Sequence, residues 1–190
     1  MIGLFLILFL IFIVLPIGLG ILIYFLIKKY GSQKIAKYFA IIYSLILVVI
    51  SINVIFEDQL FSKKDAKKLI EEQNIMLTDD FKILNNKTMT AIGDYYHTFT
   101  LEISTKDKTN GINKIKSSTN FANKNEKIID YLYDSKVNRY YGPKQTQNYE
   151  TNDYFVREYY EPNGNGYAPT FRRIKLDKNK NELIFEDIDE

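Results

Sequence analysis

Lys28-Lys29-Tyr30-Gly31-Ser32-Gln33-Lys34-Ile35-Ala36-Lys37 separates two apolar runs, Ile2–Ile27 and Tyr38–Phe56, neither of which contains a charged residue. At the helical rise of ~1.5 Å per residue these runs extend roughly 39 Å and 28 Å. A bilayer's hydrocarbon core is about 30 Å thick, so both match a membrane span better than a soluble core. The stretch between them is short enough to force an antiparallel return. The expectation is a transmembrane helical hairpin over 1–56, with helices over about 2–27 and 36–56 and a connector over 28–37, followed by a soluble domain over 57–190.

Orientation follows from charge. The connector holds four lysines and no acid, whereas Glu57 and Asp58 follow the second run. Lys and Arg in short loops are retained in the cytoplasm. The connector is therefore expected inside the plasma membrane, with the C-terminal domain extracytoplasmic. A cleaved signal peptide would need a basic start, a shorter apolar stretch and a small-x-small cleavage pattern, and the first run has none of these.

Within the runs, Pro16 predicts a kink. Ala36, Ala40 and Ser44 recur every four residues, and small side chains let helix backbones approach closely in lipid. Gly18 and Gly20 lie at a similar distance from the connector, so Gly18, Gly20, Ala40 and Ser44 are the candidate helix–helix packing residues. Neither run carries an ionisable residue at mid-depth, and only Asn53, near the outer end, is strongly polar. Ion and proton paths usually leave charges there, so a channel or pump is not expected.

All 23 acidic residues follow Phe56, and they leave the C-terminal part slightly negative. Such a domain lacks the basic stripe that phosphate backbones demand, so nucleic acid is not an expected partner. With no cysteine, disulfides, thiolate nucleophiles and Cys-ligated metals are excluded.

Ser62-Lys63-Lys64-Asp65 is a capping box, predicting a helix from about Ser62 to Gln73. A short strand is expected at Phe81–Leu84, with a turn at Asn85-Asn86-Lys87. Asp94–Ser104 is the strongest strand. Tyr95, His97, Phe99, Leu101 and Ile103 share one face, while Tyr96, Thr98, Thr100 and Glu102 share the other. It leads into a second capping box, Ser104-Thr105-Lys106-Asp107, and a helix to about Ser117, weakened by Gly111. Residues 118–151 carry no clear period; Glu126–Tyr133 fits a helical turn or a strand. Asp153–Tyr160 predicts a strand, and Glu161–Pro169 a long turn. Thr170–Leu176 and Glu182–Ile188 predict a closing hairpin. The fold class is therefore α+β, an antiparallel sheet with helices on one face.

Chemistry is sparse. His97 is the only histidine; it cannot build a His-rich zinc site, and its alternation places it in the core. Asp177-x-Asn179-x-Asn181 starts like a calcium loop but has Glu182 where that loop needs Gly and Ile188 at the twelfth position. Gly164-x-Gly166 lacks the rest of a dinucleotide fingerprint. Asn86-Lys87-Thr88 matches a glycosylation acceptor, as an Asn-rich chain does by chance. Glu158/Glu161 and Asp187/Asp189 fit solvated faces better than an acid–base pair. No catalytic, cofactor-binding or metal-ligating residue is assigned, and no cofactor is expected. What stands out is an aromatic excess late in the chain. Tyrosine gives large contact area at low entropic cost, so Tyr159, Tyr160, Tyr167 and Phe171, around the long turn, form the candidate partner-binding surface.

The stretch Ala91-Ile92-Gly93-Asp94-Tyr95-Tyr96-His97-Thr98-Phe99-Thr100, after Glu57-Asp58-Gln59-Leu60-Phe61-Ser62, resembles a group of uncharacterised bacterial envelope proteins. Those carry a similar domain behind a membrane hairpin or another N-terminal anchor. The resemblance covers roughly Glu57–Ser117 and the closing hairpin. It implies an envelope location and, since no activity is assigned to that group, transfers no functional residue. The leading expectation is a non-enzymatic binding or scaffolding module that contacts the lipid bilayer and a protein partner. A toxin-immunity protein and a membrane effector whose soluble domain senses a ligand are the alternatives.

Overall fold

The computed structural model describes residues 11, 14–90, 93–123, 126, 128–134 and 136–189. Residues 2–10, 12 and 13 of the first apolar run lie outside the described residues. So do Ala91 and Ile92 of the stretch that carries the resemblance, and the side chain of Asn53. The chain divides into two compact units, Met1–Glu57 and Asp58–Glu190.

The first unit contains α1, Leu15–Tyr30, and α2, Gln33–Ile55. Ile11 and Val14 carry the wider π-helical pattern, and the α-helix begins at Leu15 with Pro16 in its first turn. There the missing proline N–H leaves nothing unpaired. The Ser32 side chain caps α2 by accepting from Lys34 N. The two helices pack on each other, and Tyr43 donates its hydroxyl to the Pro16 carbonyl at 2.8 Å. Gly20 allows this approach, because a Cβ there would lie 2.5 Å from the Tyr43 ring. Gly18 has nothing within 4 Å. Ala40 and Ser44, with Gly20, line a cavity of about 430 Å³. Closest approach thus runs through Gly20 and Tyr43, a large side chain against a small one. Among the described residues one segment, Gln33–Ile52, is long and apolar enough to cross a membrane.

The second unit is α+β. Its elements are α3 (Glu57–Leu60), α4 (Lys63–Glu72), β1 (Lys82–Thr90), β2 (Tyr95–Glu102), α5 (Thr105–Lys116), β3 (Phe121–Ala122), β4 (Gln145–Glu150), β5 (Tyr154–Glu161), β6 (Thr170–Asp177) and β7 (Glu182–Asp189). They build a seven-stranded sheet in the order β1-β2-β7-β6-β5-β4-β3. Every pairing is antiparallel except β3 with β4. The sheet is therefore mixed, not wholly antiparallel as predicted. The parallel pair arises because the chain leaves α5 at Ser117 and runs up the outside of β4 before its long excursion.

α4 has the full capping box between Ser62 and Asp65. At α5 only half of the predicted box forms. Ser104 accepts from Asp107 N, but the Asp107 carboxylate turns to Thr78 N, Thr78 Oγ1 and Asp79 N. This buried carboxylate ties the α4–β1 connection to the start of α5. Gly111 has a packing reason: a Cβ there would lie 2.8 Å from Leu176 Cδ1.

Two hydrophobic clusters occupy opposite faces of the sheet. Under α4 and α5, Ala66, Ile70 and Ile115 pack on Phe99, Leu101, Ile174, Leu176, Leu183 and Phe185. On the other face Tyr160, Phe171 and Ile188 meet Tyr131, with Leu132 and Val137, from the segment between β3 and β4. Helices cover one face, as predicted; an irregular segment covers part of the other.

The predicted turn at Asn85-Asn86-Lys87 lies inside β1, which continues to Thr90 past a bulge between Ile83 and Asn85. The polar run stays extended because its groups are used. Asn86 donates its amide to the Asp58 carbonyl and its Oδ1 contacts His97 Nε2 at 2.8 Å, while Thr88 N donates to Asp58 Oδ1. The glycosylation match is accounted for by this structural role of Asn86.

Candidate functional site: a cleft between two loops

The segment with no sequence period, between β3 and β4, is built from side-chain-to-backbone bonds. Asp130 Oδ1 accepts from Leu132 N and Tyr133 N, and Asn138 Oδ1 accepts from Tyr140 N and Tyr141 N. Such Asx turns fix local direction without any repeat. The sheet then holds the segment at two points. The Gln147 carboxamide accepts from Ile129 N and donates to Ile129 O, as a strand neighbour would. Tyr160 donates its hydroxyl to Asn138 O, and its ring stacks on Tyr131 at 5.0 Å and 8°.

The β5–β6 loop is stitched to the same segment. Gly164 N donates to Tyr140 O at 3.0 Å, and Pro162 lies 3.8 Å from where a Gly142 Cβ would sit. Between them opens a cleft of about 250 Å³. Its floor is Tyr160 and Tyr131, its sides include Tyr141, Pro143 and Pro162, and Asn138 and Gln145 bring carboxamides to it. Exposed Ile129 and Tyr141 belong to its lining, and exposed Tyr140 and Tyr167 stand on the two loops joined beside it.

The four aromatic residues selected from sequence separate in the structure. Tyr167 is 71% exposed on the β5–β6 loop. Tyr160 and Phe171, at 2% and 0%, belong to the second cluster and offer no surface for capture. That corrects the expectation for these two, and the reason is that a sheet covered on both faces buries both alternations. Tyr159 points to the helix-bearing face, where its hydroxyl donates to Glu161. Tyr141 belongs to the late aromatic excess, but it and Gln145 lie in the stretch without periodicity, so no spacing assigns either to a surface. The Gly142-Pro143 turn beside them was the one available signal.

Ionisable groups elsewhere serve the fold. Glu158, 3% exposed at its side chain, accepts from Arg173 Nε at 2.6 Å, Tyr149 at 2.7 Å and Gln147. Burial and the neighbouring Glu158 charge push the Tyr149 phenol far above its ordinary range. Arg173 continues to Glu186, which also holds Lys175. Glu158 is thus neither solvated nor paired with Glu161. On the opposite face Arg172 bridges Glu72 and Asp187, and burial raises the Asp187 carboxyl above its usual range. His97 is buried against Phe61, with burial lowering its pKa and the Asp58 charge partly offsetting that. Asp177 Oδ1 accepts from Asn179 N and Lys180 N, an Asx turn closing the last hairpin. No group of three or more acidic or histidine side chains is arranged to hold a metal among the described residues.

Comparison with known proteins adds no function to transfer: no protein-family model, curated protein or solved structure matches this chain.

Proposed function

We propose that this chain is a non-enzymatic binding or scaffolding module, anchored in the plasma membrane by a two-helix hairpin and displayed outside the cytoplasm. The observation that carries the binding role is the surface made by the two stitched loops. Long loops held on a rigid sheet are favoured recognition sites, and here the two loops that flank a concave cleft carry exposed Tyr140, Tyr141 and Tyr167. The anchor is supported by the apolar segment Gln33–Ile52 and the uncharged run that precedes it. Its orientation is supported by the four connector lysines. The partners are the lipid bilayer and a protein that meets Tyr140, Tyr141 and Tyr167.

Cysteine substitution tests the topology. In intact spheroplasts a cysteine at Ser117 reacts with an impermeant thiol reagent, and one at Ser32 does not. Labelling at Ser32 alone reverses the orientation. A photo-crosslinking amino acid at Tyr141 or Tyr167 tests capture, with adducts expected from native membranes and absent for the same probe at Lys87. Equal yields at all three positions defeat the binding surface.

A further inference from the structure

We propose that the cleft between the two loops binds a single uncharged sugar ring, a pyranose unit of a glycan. This goes beyond the module reading: it shares Tyr141 with the surface for protein capture but adds Asn138 and Gln145, which that reading does not use. Three polar groups at the cleft make no hydrogen bond within the described residues: the Asn138 Nδ2, the Gln145 carboxamide and the Tyr141 hydroxyl. Asn138 is oriented by its own loop, since its Oδ1 is occupied by Tyr140 N and Tyr141 N, which leaves the Nδ2 for a ligand. Gln145 stands directly across from Tyr160 in the β4–β5 register, on the face that forms the floor. Two residues along the same strand, Gln147 spends its carboxamide fully on Ile129 and Glu158. The contrast separates an amide that builds the loop from one that is left facing the cleft.

The lining fixes the ligand's charge. Among the described residues Asn, Gln, Tyr, Pro, Gly, Ile and Val line it and no Asp, Glu, Lys or Arg does; the Arg139 charge reaches the floor at Tyr160 without lining the cleft. A charged ligand would lose hydration against a lining that offers it no counter-charge in direct contact. The ligand must also present both an apolar face and hydrogen-bonding groups of both kinds. A pyranose does so: its C–H face packs on an aromatic ring such as the 63% exposed Tyr141, while its hydroxyls exchange bonds with the carboxamides and the phenol. Size limits the ligand to one ring, because the cleft, at about 250 Å³, is smaller than the roughly 300–1,000 Å³ of pockets that hold drug-sized ligands.

A peptide adding as a strand would meet an outer edge of β4 that is already engaged at Thr146 and, through β3, at Asn148 and Tyr149. Asn120 donates to the Thr146 carbonyl, and Ile129 occupies the Gln147 side chain on the outer side of β4. A proline-rich peptide, which docks on aromatic grooves without strand pairing, is the competing occupant for the experiment to address.

The test is saturation-transfer NMR on the full chain in phosphatidylcholine nanodiscs, free of glycoside detergents. The probes are chitotriose, maltotriose and a proline hexapeptide at millimolar concentration, with empty discs as the blank. The expected result is transfer to the ring protons of at least one sugar and none to the peptide. Tyr141→Ala and Gln145→Ala each cut that signal at least fivefold without moving the thermal midpoint, and Tyr167→Ala leaves it intact. The proposal is overturned if neither sugar receives saturation, if the peptide does instead, or if both cleft variants retain the signal. Crosslinking of a protein at Tyr141 or Tyr167 with no sugar signal removes the sugar alone and leaves the module reading standing.

Discussion

Phe99 and Tyr167 mark the two extremes of what an aromatic side chain does here. Phe99 is wholly buried, stacked on Phe185 at 4.8 Å, while Tyr167 is 71% exposed. Truncating a buried phenylalanine removes its transfer energy and leaves a cavity. Phe99→Ala is therefore expected to cost ~3–5 kcal/mol, read by urea unfolding, and Tyr167→Ala to change stability by less than ~0.5 kcal/mol. A large loss at Tyr167 makes its loop a core element. His97 adds a pH dependence. Burial lowers its pKa below the ordinary 6.5, so the unfolded chain takes up a proton at a pH where the folded one resists. The contribution is intact above 6.5 and lost as pH falls through the lowered folded value. From pH 7.5 to pH 5 the wild type should lose stability relative to His97→Gln; parallel profiles would show that His97 does not titrate against folding. Alternation along β2 was enough to place both Phe99 and His97 inside. It could not place Tyr160 or Phe171, because their face looks solvated until a segment far away in sequence is laid over it.

At the scale of elements, local signals held where no distant group competes for the same atoms, and failed at Asn85-Asn86-Lys87, which Asp58 and His97 hold extended. The Ser62–Asp65 box closes within three residues, and the Asp177 turn closes its own hairpin. The Ser104 box fails halfway because Asp107 has a better use. Its carboxylate, 1% exposed, collects the Thr78 and Asp79 backbone N–H groups. Asp107→Ala would leave those donors without acceptors, at roughly 1–3 kcal/mol per buried unsatisfied group. A loss of about 3 kcal/mol is expected in chemical denaturation. A loss below 1 kcal/mol would mean that water replaces the carboxylate. The segment before β4 was illegible for the opposite reason to the capping boxes: Gln147 and Tyr160, which hold it, lie after it in sequence, and Asx turns have no period. Gly111 looked like a weak point of α5 by propensity; the Leu176 contact makes it a position where a larger residue would push helix from sheet.

Across the whole molecule, the division after Glu57 predicts that the domain stands without its anchor. Among the described residues both clusters of buried residues draw on Phe61 and later positions. Residues 58–190 expressed alone should melt in one cooperative transition with helix and strand signals vanishing together; a broad, non-coincident melt would show that part of the core is supplied by a partner. Starting such a fragment at Asp58 and not at Phe61 has a physical basis in the bonds from Asp58 to Asn86 and Thr88. Those bonds also bear on how copies behave together. β1 is an edge strand, and unpaired edges template association. A chain confined to a bilayer meets its copies in two dimensions, at an effective concentration far above that of the same chain in solution. With Thr88 N already occupied, a bulge beside Leu84, and Lys82 and Lys87 exposed along the strand, this edge resists zipping onto another copy, as crowding under the proposed membrane anchor would require.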